Sequence, residues 1–259
     1  MNYTVGTSGY SFADWIGPFY PATASKHNMF EHYVQHFDAV ELNYTFYRMP
    51  AVRTLESLAR RSPARFEFWV KANQRTTHEG DLSVIPEFVD SLQPLREAGK
   101  LAGVLLQFPQ SFHRTVATRK FLGAALESFN GVHRAVEFRH HSWNHPATMT
   151  GLRDYNITLV VPDVPALPGL FRRGATATTT TGYLRLHSRN AERWYGSSVQ
   201  RYDYDYSVEE MQGLLEEWAQ LGEKLDKTYA FFNNCHGGQA ARNAEAFGRI
   251  LEQMRWQRN

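Results

Sequence analysis

The chain has 259 residues, of which 42% are hydrophobic and 21% charged, and its formal net charge is +2. This near balance of charge argues against a membrane surface or a long nucleic acid as the partner, since both select strongly basic proteins. The apolar runs all fall short of the roughly 20 residues that a membrane span requires, so we expect no association with a membrane.

Short apolar segments with the composition of β-strands recur along the chain. In chain order the eight predicted strands lie at residues 5–7, 39–43, 66–71, 103–107, the start of 135–143, 158–161, 183–187 and 229–233.

Apolar residues recur at helical spacing in the intervals between these strands, for example over residues 30–37 and 52–59. Apolar residues at 211–221 indicate another helix, which a capping box of Ser207 and Glu210 opens. The last helix begins near Gln239. Strand followed by helix, eight times in roughly 250 residues, is typical of a (β/α)8 TIM-type barrel. We predict one such domain over residues 1–259.

The sixth helix is predicted to be irregular or missing. Only a short interval separates the sixth strand from the seventh, and Pro165, Pro168 and Gly169 within it oppose a full helix.

Polar residues follow one face of most strands towards their carboxyl ends. Alternate residues of a strand share a face, and in a closed barrel one face meets the lumen. The predicted lumen residues at these ends are Glu41, Asn43, Lys71, Gln107, Glu137, Arg139, Asp163, Arg185, His187 and Asn233. Because active sites of this fold lie at this end, the set predicts a site. The alternative is that three acids and three bases neutralise one another as a structural ion network.

Six of these residues are candidate catalytic groups, namely Glu41, Lys71, Glu137, Arg139, Asp163 and His187. A carboxylate partly removed from water can have a pKa near neutrality, which makes Glu41 or Glu137 a candidate general acid or base. The cations could hold an anionic group, and His187 could transfer protons. Two carboxylates on different strands also allow glycoside chemistry.

A metal-dependent version of this site would use Glu137, Asp163 and His187, which end three successive strands. Three nearby cations would repel a divalent ion, and the chain has no HExxH motif. We therefore expect neither a metal nor another cofactor.

Two aromatic segments are predicted to overhang the mouth of the barrel. They are residues 10–15 with Phe19 and Tyr20, and Trp194 and Tyr195 followed by Tyr202, Tyr204 and Tyr206. Aromatic rings beside charges suit stacking on a base or a sugar. A module that binds a nucleotide or RNA without catalysis is therefore the alternative to an enzyme.

The loop after the eighth strand, residues 233–239, is a candidate anion site. Gly237 and Gly238 would let a phosphate approach the N-terminus of the last helix, near Arg185; an ordinary glycine turn is the alternative. With this loop, the predicted substrate-binding residues are Tyr10, Asn43, Gln107, Trp143, Arg185, Trp194, Tyr195, Asn233, Asn234, Gly237 and Gly238.

Several motifs make the chain resemble the DUF72, or YecE-like, family over nearly its whole length. They are GTSGY (6–10), PFYP (18–21), ELNYTFYR (41–48), QFPQSF (107–112), EFRHHSW (137–143), VPDVP (161–165) and FFNN with GG and NA after it (231–244). The resemblance implies a TIM-barrel fold but no activity, because the family has no established function. The first motif ends in Tyr10, where Trp is common.

These features predict a cytoplasmic enzyme, a hydrolase, lyase or isomerase, acting on a small polar substrate that is phosphorylated or sugar-like. The location follows from the single cysteine, Cys235, which suits a reducing compartment, and from residues 1–5, which do not resemble a signal peptide.

Overall fold

The computed structural model describes residues 2–256, in which eight strands close into one parallel barrel in chain order. The strands are β1 Tyr3–Ser8, β2 Ala39–Leu42, β3 Glu67–Lys71, β4 Leu101–Gln107, β5 Arg134–Glu137, β6 Thr158–Asp163, β7 Thr181–Leu186 and β8 Lys227–Phe232. Strand β8 pairs with β1 and closes the barrel. The predicted TIM-type fold is confirmed.

Helices follow the strands and form the outer layer. They are α1 Met29–His36, α2 Tyr44–Tyr47, α3 Val52–Arg61, α4 Gln74–Thr77, α5 Ile85–Ser91, α6 Gln93–Glu97, α7 Val116–Ser128, α8 Pro146–Asp154, α9 Ser198–Arg201, α10 Val208–Ala219 and α11 Gln239–Trp256. The predicted capping box is present, since Ser207 and Glu210 each accept a hydrogen bond from the other's backbone N–H. Within the described residues, every helix is too short or too polar to cross a membrane.

The connection from β6 to β7 contains no helix in the described chain, as the sequence predicts. Its irregular backbone is held by side chains and neighbouring loops instead. The Thr178 hydroxyl donates to the Ile157 carbonyl at 2.6 Å and accepts from the Leu159 N–H at 2.8 Å. The Phe171 N–H donates to the Arg139 carbonyl at 2.9 Å, so this connection also fixes the backbone just beyond β5.

The two faces of the strands bury different sets of side chains. Outward residues such as Val40, Val136 and Leu184 belong to the main core between strands and helices. A second cluster fills the lumen with Ala39, Trp69, Leu105, Ala135, Val160, Tyr183, Tyr229 and Phe231. This packed floor leaves only the layer at the carboxyl ends of the strands for polar side chains.

Gly6 lies where β1 approaches β2 too closely for a side chain. A Cβ at this position would lie 2.2 Å from the Ala39 carbonyl oxygen. Because both atoms belong to paired strands, we expect Gly6→Ala to lower the free energy of unfolding by about 1–3 kcal/mol in urea denaturation. The control is Gly123→Ala in α7, where the described chain offers no contact to a Cβ within 4 Å. That change should raise stability by about 0.5–1 kcal/mol, and equal effects of the two changes would contradict the close approach.

Candidate functional site

A single guanidinium joins two carboxylates at the carboxyl ends of the strands. Arg185 on β7 donates from Nη1 to Glu137 Oε2 at 2.5 Å and from Nη2 to Glu41 Oε1 at 2.6 Å. The exposed fraction of all three side chains is 1% or less. Buried charges are stable only when they are paired and hydrogen-bonded. The three strands that carry these residues therefore have to meet for any of the charges to be tolerated.

Each of the four carboxylate oxygens has at least one partner. Glu41 accepts hydrogen bonds from the Tyr183 hydroxyl at 2.6 Å and from Asn43 Nδ2 at 2.8 Å. Glu137 Oε1 forms a salt bridge with Arg139 Nε and lies 3.2 Å from His187 Nε2. Both acids are thus held in one geometry by several donors.

The protonation of this network differs from the sequence-based expectation. Burial acts to raise the pKa of Glu137, but Arg139 and Arg185 outweigh it and hold that pKa well below its usual range. Burial lowers the pKa of His187 to about 3, and Arg139 acts in the same direction. The prediction of a raised carboxyl pKa is therefore wrong for Glu137, which stays ionised, and His187 stays neutral at physiological pH.

A cavity of about 340 Å³ opens above the network, at the mouth of the barrel. It is lined by Ser8, Phe12, Asp14, Asn43, Tyr47, Lys71, Gln107, Arg139, Arg185, Val199, Tyr202, Asn233, Cys235 and His236. Six of these residues are predicted site residues, and Glu41, Glu137 and His187 contact the lining from the buried wall. The volume suits a small molecule.

Lys71 lines the cavity with its backbone fixed and its amine against an aromatic ring. Its backbone carbonyl accepts from Thr45 Oγ1 at 2.6 Å, and its Nζ lies 4.1 Å from the centroid of the Phe46 ring. Among the described residues, Nζ has neither a hydrogen bond nor a salt bridge. Burial lowers the pKa of Lys71 to about 7, and Arg185 acts in the same direction. Its amine therefore loses a proton far more readily than that of an exposed lysine.

Asp163 does not belong to the lumen. It pairs in register with Leu186, an outward residue of the main core, and paired residues of a parallel sheet point to the same face. Its carboxylate accepts from Arg189 Nε at 2.9 Å and from the Tyr206 hydroxyl at 2.7 Å. The predicted balance of three acids and three bases is therefore wrong. Two buried carboxylates face three cations: Lys71, Arg139 and Arg185.

Asp163 and Arg189 instead line a larger cavity of about 640 Å³ outside the barrel, where a sixth helix would pack. Their charges are satisfied by each other and by Tyr206. The barrel mouth is the candidate site, because the strand ends converge there on Lys71, a titratable group that forms no salt bridge with the described residues.

Three predicted aromatic contacts are packing contacts. Tyr10 lies against Phe30, with ring centroids 5.0 Å apart. Trp143 stacks on Phe138 at 4.4 Å and is 2% exposed. Trp194 is buried in a small apolar cluster. The Arg139 guanidinium lies over its ring, 6.0 Å from the ring centroid. None of these three lines the mouth cavity in the described chain.

Tyr195 also lies outside the cavity. It is 60% exposed, and its hydroxyl accepts from Gln110 Nε2 at 3.3 Å.

The loop after β8 does not have the predicted arrangement for an anion. The Gly237 N–H already donates to the Asp14 carboxylate at 2.8 Å, and Gly238 packs against Pro18. Asn234 is buried and donates to the Tyr204 carbonyl and to Asn243 Oδ1, both at 2.7 Å. A phosphate at Gly237 would have to displace an existing carboxylate.

Several lining residues were absent from the predicted site. Ser8 follows Gly6 on the inward face of β1, so strand alternation alone could have identified it. Tyr47, Val199 and His236 come from short helical segments and turns, for which no residue pattern indicates the direction of a side chain.

The metal ligand set considered above is not assembled. Asp163 points away from Glu137 and His187, and residues 2–256 contain no group of three His, Cys, Asp or Glu side chains arranged to hold a metal ion.

Comparison with known proteins identifies the family. The family described as "Protein of unknown function DUF72" matches residues 4–258. The chain belongs to the DUF72 family. The UPF0759 protein YunF of Bacillus subtilis is 29% identical to this chain over 271 residues. The match covers 96% of this chain and 94% of YunF.

Solved structures of DUF72 proteins share the barrel. A DUF72 family protein of Thermotoga maritima is 40% identical, with a TM-score of 0.90 over 97% of this chain and 100% of its own. One from Enterococcus faecalis is 24% identical, with a TM-score of 0.84 over 96% and 95% of the two chains. The second likeness concerns the fold alone.

Glu137→Gln in this DUF72 chain should lower the free energy of unfolding by about 3–5 kcal/mol at pH 7, because Arg139 loses its carboxylate and Arg185 keeps only Glu41. The folded pKa of Glu137 is depressed, so its stabilisation is present above the unfolded pKa of about 4.3 and is lost as pH falls through the folded pKa. The difference from wild type in urea denaturation should therefore shrink below about pH 4.3. The control is Glu127→Gln on the exposed face of α7. Equal stability of the two variants at pH 7 would contradict the network.

Proposed function

We propose that this protein is an enzyme that acts on a small anionic substrate in the mouth cavity, with Lys71 as the group that accepts and returns a proton. One observation carries the proposal. Burial lowers the pKa of Lys71 to about 7, and the residue lines a cavity of ligand size together with the guanidiniums of Arg139 and Arg185. Titratable groups shifted towards neutrality by burial and by a charged neighbour are concentrated at catalytic sites.

The arginines suit the binding of an anionic group. Arg139 uses Nε for Glu137 and is 10% exposed, so part of its guanidinium faces the cavity. Together with Arg185 and protonated Lys71, it gives the layer at the strand ends three cations beside the carboxylates of Glu41 and Glu137, whereas the Asp14 carboxylate lies at the rim and accepts from the Gly237 N–H. A carboxylate or phosphate of the substrate would offset this charge, and guanidiniums bind such groups with two parallel hydrogen bonds.

The amides of the lining suit hydroxyl groups. Gln107 donates through Nε2 to the Phe108 carbonyl at 2.9 Å, which leaves Oε1 as an acceptor. Asn233 is held by His187 Nδ1 at 2.9 Å. Fixed amides beside an anion-binding group support a polyhydroxy, sugar-like substrate.

Proton transfer at carbon, as in isomerases and lyases, fits the site better than glycoside hydrolysis. A glycosidase needs a carboxyl group that is protonated near neutral pH. Glu137 is held ionised by Arg139 and Arg185, and Glu41 accepts from three donors in the wall. Lys71 lines the cavity and can take up a proton without breaking a salt bridge with any described residue.

A nucleotide-binding module without catalysis is the second candidate. Phe12, Tyr47 and Tyr202 line the cavity beside Arg139. Rings next to a guanidinium suit stacking on a base with its phosphate bound alongside.

The pH dependence of anion binding tests the role of Lys71. The charged or titratable groups that interact with it are Glu41, His78, Glu137, Arg139 and Arg185. Burial lowers the pKa of His78 to about 4, so His78 is neutral between pH 6 and 8. Lys71 loses its charge as pH rises through about 7, and anion binding should weaken over the same interval.

We expect sulfate to raise the melting temperature at constant ionic strength, with an apparent affinity that falls about tenfold from pH 6 to pH 8. Lys71→Met should remove the pH dependence, and His236→Asn, at the rim, should retain it. Arg153→Gln on the exposed face of α8 serves as the charge control. An unchanged pH profile in Lys71→Met would refute the assignment.

Catalysis itself is tested by proton NMR of mixed phosphorylated and carboxylated sugars and hydroxy acids in D₂O. We expect wild type, but not Lys71→Met, to exchange a carbon-bound proton or convert one component. Saturable binding of nucleotides, with no exchange or conversion in any mixture, would favour the binding module instead.

A further inference from the structure

We propose that Lys71 forms an imine with its substrate, which would make the substrate class an aldehyde or ketone that also carries a carboxylate or phosphate. This inference rests on the proposed function, since it uses the same cavity and the same anion-binding arginines. It goes further by giving the amine a covalent role and by naming the reactive group of the substrate.

The environment of the amine supports attack on a carbonyl. Lys71 Nζ faces the cavity, contacts the ring of Phe46, and makes no hydrogen bond or salt bridge with the described residues. Its carbonyl oxygen is tied to Thr45, so the backbone that carries the side chain is fixed. A desolvated lysine beside another cation is the arrangement that activates an amine as a nucleophile.

Other buried or paired lysines of the chain lack this freedom. Lys100 Nζ donates to the Ala59 carbonyl at 2.6 Å and to both oxygens of Ser62 at 2.8 Å, so all three protons are in use. Lys227 Nζ is held by Glu67 at 2.5 Å, at the opposite end of the barrel. Lys100 is therefore a matched internal control for burial without access to the cavity.

An acceptor without a partner lies in the same layer. Asn43 Oδ1 is buried and has no hydrogen bond within residues 2–256, whereas its Nδ2 is tied to Glu41. Buried polar atoms without a partner are uncommon in folded proteins. Asn43, at the end of β2 next to β3, lines the cavity together with Lys71. Its oxygen is therefore a hydrogen-bond acceptor that the side chains and backbone of residues 2–256 leave unused.

The covalent steps balance without an oxidant or a metal. The neutral amine adds to the carbonyl carbon, and one amine proton moves to the carbonyl oxygen to give a carbinolamine. Loss of water from the carbinolamine gives the imine. Protonation of the imine draws electrons from the adjacent carbon and weakens a C–H or C–C bond there. Addition of water reverses the sequence and frees Lys71.

Reductive trapping tests the inference on the wild-type chain. The protein is incubated at pH 7 with glyoxylate and cyanoborohydride, which delivers hydride to the imine carbon and leaves a carboxymethyl group on nitrogen. Peptide mass mapping then gives the rate at each lysine. We expect Lys71 to react at least about tenfold faster than exposed Lys26 and Lys120, because a far larger fraction of its amine is neutral at pH 7. Lys100 should react more slowly than either exposed lysine.

Two comparisons identify the anion requirement. Acetaldehyde, which has no carboxylate, should keep only the part of the preference for Lys71 that comes from its neutral amine, so its ratio of rates at Lys71 and at the exposed lysines should be smaller than that of glyoxylate. Sulfate should slow the reaction of Lys71 with glyoxylate. Lys71→Arg, checked for folding by circular dichroism, should remove the fast reaction and keep the anion-dependent rise in melting temperature. If this variant fails to fold, the lysine rates measured on the wild-type protein still decide the question.

A rate at Lys71 no greater than that at Lys26 and Lys120 would overturn the imine. If sulfate binding still depended on Lys71 and pH in that case, the proposed acid–base function would stand. Loss of both results would refute both proposals.

Discussion

The contact of Arg185 with Glu41 and Glu137 is the constraint on which the rest of the site depends. The three residues come from β7, β2 and β5, so their charges meet only when the barrel has closed. A pair of this kind brings little net stability, because the cost of removing ions from water offsets their attraction. Apolar side chains could have filled the same space. In the function proposed above, the network has the role of holding fixed cations around a small cavity.

The packed floor of the lumen determines how strongly these charges act. Trp69, Tyr183 and Tyr229 exclude water beneath the network, and the Tyr183 hydroxyl joins the floor to Glu41. Electrostatic interactions are much stronger in such a dry environment than in water. The same environment lowers the pKa of Lys71, since burial penalises its charged form and Arg185 repels it. Packing and site chemistry therefore have a common cause.

The irregular parts of the barrel adjoin the site. The connection without a helix between β6 and β7 donates from Phe171 to the carbonyl of Arg139. The loop after β7 contributes Tyr202 to the cavity, and the turn after β8 contributes His236. The barrel fold alone does not determine a chemistry, because many different sites occur on it. In this chain, the departures from regularity are what shape the mouth around Lys71 and Arg139.

The sequence by itself determined the barrel, its missing sixth helix and most of its inward polar residues, because strand periodicity and helix-breaking residues are local properties. Tertiary structure decided the rest. Val160 and Val161 are both apolar, so no alternation shows that Asp163 faces outward; its register with Leu186 does. Tyr10, packed against the core, and Tyr47, at the rim, cannot be told apart from sequence, because an aromatic ring buries apolar area in either place. The unpaired state of Lys71 depends on where every nearby carboxylate points, and only the closed barrel determines that.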